Sequence, residues 1–88
     1  MNTTPSYYGL PVRTQLEALD ENVLGIRKVL KSRIIRKDAE RIVEMAAQIK
    51  SVTPGVEITL ICTRNICSKS LQLLANVGIG IQLVEPED

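Results

Sequence analysis

Arg27, Lys28, Lys31, Arg33, Arg36, Lys37 and Arg41 fall within fifteen consecutive residues, opposed in that stretch by Asp38 and Glu40. The whole chain carries a net charge of +1, so the rest of it is acidic. A run this dense can neutralise several phosphates, and each such contact adds salt dependence to binding. These seven residues are therefore the candidate nucleic-acid-binding set. The competing reading is a solvated helix end, or a patch that meets the acids of a second copy of the chain. Glu17, Asp20 and Glu21 precede the block, and Glu85, Glu87 and Asp88 follow it near the C-terminus. Tyr7 and Tyr8 could stack on bases. Little else offers chemistry. There is no His, which removes the commonest general base and metal ligand. Cys62 and Cys67 are too few for a disulfide scaffold or a four-ligand zinc site, and their spacing is not that of a CxxC redox pair. We read both as small, partly buried hydrophobes. Glu40 and Glu44 stand one turn apart and fit a solvated helix face. No catalytic residue, metal site, cofactor or small-molecule substrate is expected.

The elements that must position these residues follow from the hydrophobic pattern. Eighty-eight residues make one domain with a thin core, and association with a second copy would relieve that thinness. The apolar content of 44% is that of a globular chain. No apolar run is long enough to span a membrane, and residues 1–9 lack an apolar signal core. A reducing, cytoplasmic setting is the expectation. Residues 1–11 are read as a flexible N-terminal arm and residues 12–88 as a single α/β domain. Residues 14–31 support two readings. Leu16, Leu19, Val23, Ile26 and Leu30 step by three and four, and Thr14 with Glu17 fits a capping box, which argues a helix. Gly25 argues against it. The alternative is a β-hairpin in which Val12, Thr14, Leu16 and Ala18 alternate, Asp20–Asn22 turn the chain, and Leu24, Ile26 and Leu30 line a second strand, with Lys28 breaking the pattern. Asp38 is a plausible N-cap for a helix over 38–51, ended by Pro54-Gly55. Residues 56–63 are β-branched and apolar, which predicts a central, parallel strand. Ser68 could cap a helix over 69–77, and Ile79–Val84 reads as the next strand. Strand, helix and strand so close together predict a right-handed parallel crossover. The expected fold is thus α/β, a small two-layer or three-layer domain with that unit at its C-terminus.

Two family resemblances bear on function. The stretch from Cys62 to Ser68 is similar at Cys62, Asn65, Ile66 and Cys67 to the phosphate-binding loop of low-molecular-weight tyrosine phosphatases. That loop needs an arginine to clamp the phosphate and lower the thiol pKa, and Ser68 stands there instead. From Lys31 onward the chain resembles the C-terminal half of restriction-endonuclease-like nucleases, the PD-(D/E)XK superfamily. The residues that carry this are Leu30-Lys31-Ser32-Arg33-Ile34, then Asp38 to Arg41, then the strand, helix and strand described above. The resemblance favours the hairpin. It implies an active site of one acid followed by an acid-x-lysine triplet on adjacent strands, holding Mg²⁺. In that comparison Lys31 matches the lysine and Glu17 could stand for the first acid, but the acidic position two before the lysine is occupied by Val29, which cannot hold a metal. A non-catalytic derivative that binds nucleic acid is the expectation. A self-assembling or protein-interaction subunit, a homo-oligomer without enzymatic activity, is the alternative.

Overall fold

The computed structural model describes residues 1–29 and 32–86. Of the residues singled out above, Leu30, Lys31, Glu87 and Asp88 lie outside the described set. A 3-10 turn, Pro5–Tyr8, leads into strand β1, Gln15–Asp20, and strand β2, Val23–Arg27. Helix α1, Arg36–Val52, strand β3, Glu57–Cys62, helix α2, Ser68–Asn76, and strand β4, Gly80–Leu83, follow.

The segment open to both readings is a hairpin. β1 pairs antiparallel with β2, with a register shift between Ala18 and Asp20. The helical spacing and the alternating spacing share Leu16 and Ile26, so local pattern could not separate them. Pairing with β3 does: β2 lies parallel to β3 from Val23–Glu57 to Arg27–Ile61. Leu24 and Ile26 are thereby buried in a sheet, which offers them more apolar contact than an isolated helix would. The capping box at Thr14 and Glu17 accordingly does not form. β3 pairs parallel with β4, giving the order β1-β2-β3-β4.

The parallel steps β2-α1-β3 and β3-α2-β4 advance in one direction across the sheet, and crossovers of one hand then put both helices on one face. α1 and α2 pack against each other there. Ala39, Ile42, Ala46 and Ile49 of α1 and Leu74 of α2 meet Leu24, Ile26, Ile58, Leu60 and Cys62 of the sheet. The domain therefore has two layers. The other sheet face carries Glu17, Gly25, Arg27, Thr59, Ile61 and Gln82, by strand alternation and register.

Three local expectations need correction. Residues 1–11 are not an arm outside the domain, because Tyr8 and Leu10 are buried in the core and Tyr8 Oη donates to the Asn2 carbonyl. Tyr8 is therefore not available to stack on a base, while Tyr7 is exposed and meets the Tyr8 ring edge-on at 5.0 Å. α1 begins earlier than Asp38: Ile35 is its N-cap, and Asp38 in the first turn accepts the Ile35 N–H at 3.1 Å. α2 is capped by Cys67 and not by Ser68. The Cys67 sulfur accepts the Ser70 N–H at 3.4 Å and lies 2.9 Å from Ser70 Oγ. Cys67 is thus a capping group, whereas Cys62 is the buried hydrophobe expected.

Candidate nucleic-acid interface

The carboxyl ends of β2 and β3 and the amino ends of α1 and α2 lie at one edge of the domain, as the crossover topology requires. One feature draws the two helix starts together. Ile34 and Ile66 form an isolated parallel bridge, with Ile34 N–H donating to the Asn65 carbonyl at 2.9 Å and Cys67 N–H to the Ile34 carbonyl at 3.0 Å. The segment before α1 is thereby laced to the segment before α2. Ile34 is almost fully buried, so the flanking residues are held by the core.

This edge gathers most of the basic block. Arg33, Arg36 and Lys37 are exposed around the start of α1. Lys28 follows β2, is half-buried, and donates its backbone N–H to the Ile61 carbonyl at 2.8 Å. Beside them stand Arg64 and Lys69, both exposed, which the dense run of cations did not include. No sequence signal could have added them, because they lie some thirty residues away and join only through the bridge. Both helix N-termini add partial positive charge to the same edge. Of the acids here, Asp38 is engaged by the Ile35 N–H, and Glu85 shares a cavity of about 270 Å³ with Arg64. Asp20, Glu21 and Glu57 sit at the opposite end of the sheet.

Arg41 and Arg27 are placed differently. Arg41 lies a turn further along α1 and, with Met45, faces a cavity of about 380 Å³. Residues 11–15, the end of β2 and residues 28–29 form its other walls, and they bring Arg13 to it. Arg27 also borders this cavity, while its Nη1 reaches Glu17 Oε2 at 3.4 Å on the open face of the sheet.

Cys67 has its thiol pKa lowered, first by the Ser70 hydroxyl, then by the Ser70 N–H, with the Arg33 charge contributing last. Burial pushes the Cys62 thiol up.

A solved structure shares this architecture. The crystal structure of a repair endonuclease from Pyrococcus abyssi matches it with a TM-score of 0.69 over 88% of this chain. The fold is nuclease-like. The two sequences are 12% identical, so the likeness is one of fold. The chain spans 36% of the length of that structure. No protein-family model matches the sequence, and no curated protein does.

The resemblance noted from the sequence implies an acid and an acid-x-lysine triplet on adjacent strands, so the register of the hairpin bears on that expectation. β2 ends at Arg27, so Val29 lies past the strand and Lys31 is outside the described residues. Glu17 is paired with Gly25, and the next position on the same face of β2 is Arg27. Measured from Glu17, the acid-x-lysine triplet therefore falls on Gly25-Ile26-Arg27. Gly25 supplies no carboxylate, and a side chain there would require Ile61 and Leu19 to shift. A Cβ there would lie 2.7 Å from Ile61 Cδ1 and 3.0 Å from Leu19 Cδ1. Glu17 is itself paired with a cation. Among the described residues, no three His, Cys, Asp or Glu side chains are grouped to hold a metal, and no helix is long and apolar enough to cross a membrane.

Proposed function

We propose that the protein is a non-catalytic nucleic-acid-binding domain that holds phosphates along its basic edge. The observation that supports this reading is the Ile34–Ile66 bridge, which joins the segments leading into two helix N-termini; the exposed cations Arg33, Arg36, Lys37, Arg64 and Lys69 lie in or next to those segments, and Lys28 follows β2 at the same end of the sheet. Helix N-termini and Lys or Arg side chains both bind phosphate, through oriented N–H groups and through positive charge. Arg27, Lys31 and Arg41 belong to the proposed set as its extensions. The fold supports the reading, since the Pyrococcus abyssi protein that shares it is a repair endonuclease. The non-catalytic half of the proposal rests on Gly25, which offers no metal-binding group opposite Glu17.

The test is fluorescence anisotropy of a labelled duplex and a labelled single strand, comparing the wild-type chain with Arg33→Glu/Lys37→Glu. The double reversal should weaken binding by at least about tenfold at 50 mM salt, because two phosphate contacts become repulsions. Equal affinity of the two proteins would refute the proposed edge.

A second reading is supported by the sheet itself. Both helices lie on one face of the sheet, and on the other face Glu17, Gly80 and Gln82 are exposed. A subunit that assembles through this face would change its sedimentation with concentration in the absence of any nucleic acid.

A further inference from the structure

The cavity between the hairpin and α1 has a composition that a flat phosphate-binding edge does not need. Among the described residues its walls carry Arg13, Lys28 and Arg41, with Arg27 at the border, and not one acidic residue. Among the described residues no carboxylate is paired with Arg13, Lys28 or Arg41. Strand alternation sets Lys28 on the same side of β2 as Ile26, facing α1, and Arg41 and Met45 stand one turn apart on that helix. Three cations from three separate segments therefore converge on one space. The rest of the lining is mixed: Thr14 and Gln15 are polar, whereas Pro11, Ile26, Val29 and Met45 are apolar. At about 380 Å³ the space is at the small end of ligand-sized cavities.

We propose that this cavity is a binding site for a nucleoside monophosphate, with the phosphate on Arg13, Lys28 and Arg41 and the nucleoside against Met45, Ile26 and Pro11. Charge selects the form of phosphate. A phosphomonoester carries close to two negative charges at pH 7, with a second pKa near 6, and an internal diester carries one. Three unpaired cations around one space favour the dianion, and a recessed site admits a chain end more readily than a continuous backbone. The ligand is then either the phosphorylated terminus of a strand or a free nucleotide. The first source rests on the nucleic-acid reading given above and refines it to end recognition. The second does not depend on it.

The experiment titrates the full chain with single-stranded thymidine hexamers bearing a terminal phosphate or a terminal hydroxyl, and separately with AMP. The phosphorylated hexamer should bind at least about fivefold more tightly, through the added charge. That ratio should fall towards one at pH 5, as the monoester takes up a proton, and in Arg13→Gln and Arg41→Gln, both of which alter exposed residues. In Arg36→Gln, outside the cavity, both hexamers should weaken together and the ratio persist. AMP binding that is lost in Arg13→Gln, without any preference between hexamers, would support the site and assign it to free nucleotides. If no hexamer binds but AMP does, the site stands and the nucleic-acid reading falls. Equal, salt-dependent binding of both hexamers with no AMP binding would overturn the site and leave the nucleic-acid reading standing. No binding of any of these ligands would overturn both.

Discussion

Gly25 is the residue on which the proposed non-catalytic reading turns. Its backbone angles are ordinary for a strand, so it is not there for conformational freedom. It is there because Ile61, almost fully buried, and Leu19 lean over it. Gly25→Ala should destabilise the fold by about 1 kcal/mol, the modest end of overpacking, since the atoms met are side-chain ends. Gly25→Glu should cost more, and it should not confer Mn²⁺-dependent nicking, because Arg27 already engages Glu17. Thermal denaturation and a plasmid-nicking assay check the two halves. The cysteines make a second contrast. Cys67 should react with iodoacetamide at a pH below the ordinary thiol range, and Cys62 should stay unreacted until the chain unfolds; mass mapping after timed alkylation distinguishes them. The stability consequence has opposite signs. Cys62 has a raised pKa from burial, and Tyr8 has one from burial and then from Tyr7, so stability is present below their unfolded values and lost as pH rises through the folded ones. Cys67 works against this trend. Denaturant midpoints should therefore fall on the alkaline side, and fall less steeply in Tyr8→Phe. By sequence both cysteines read as hydrophobes. Nothing local marks Cys67 as a cap, because Ser68, next to it, is the better capping residue by type.

At the scale of elements, the helices and the two C-terminal strands were legible, because each combines a clear period with a clear stop. α1 shows Ala39, Ile42, Ala46 and Ile49 at helical spacing and ends before Pro54-Gly55, and β3 is a short, mostly apolar run in which Ile58, Leu60, Ile61 and Cys62 are buried. The hairpin was not decidable locally. Leu16 and Ile26 satisfy both periods, and the deciding contact, β2 on β3, spans more than thirty residues. The N-terminal segment defeats sequence reading for a related reason. Pro5, Ser6 and Gly9 have the composition of a loose end, yet they form the turn that delivers Tyr8 and Leu10 to the core beside α1. Deleting residues 1–10 should thus lower stability by about 3–5 kcal/mol, the usual cost of removing a buried aromatic side chain and more. A chemical-denaturation midpoint unchanged by this truncation would show that the segment is not part of the core. Capping gives a finer check. Cys67→Ala should cost about 0.5–2 kcal/mol and Cys67→Ser close to nothing, because a hydroxyl can accept the Ser70 N–H in place of sulfur.

At the scale of the whole molecule, charge is sorted along the strands. Basic residues collect where the parallel strands end and the helices begin, and Asp20, Glu21 and Glu57 lie at the other end. The block over 27–41 was visible in the sequence as a run of cations. What the sequence could not supply was its company: Arg64 and Lys69 arrive through the Ile34–Ile66 bridge, and Arg13 through the wall of the cavity. Nor could it supply the division of labour, in which Arg33, Arg36 and Lys37 line an open edge while Lys28 and Arg41 turn to a recess. The central claim is that this edge binds nucleic-acid phosphates. The most direct measurement is the slope of log affinity against log salt for a short duplex, between about 50 and 200 mM, for the wild-type chain and for Arg33→Gln/Arg36→Gln/Lys37→Gln. Removing one cation from a phosphate should flatten the slope by about 0.9, so the triple variant should be shallower by roughly 2–3. An unchanged slope, or wild-type binding that does not respond to salt, would contradict the account.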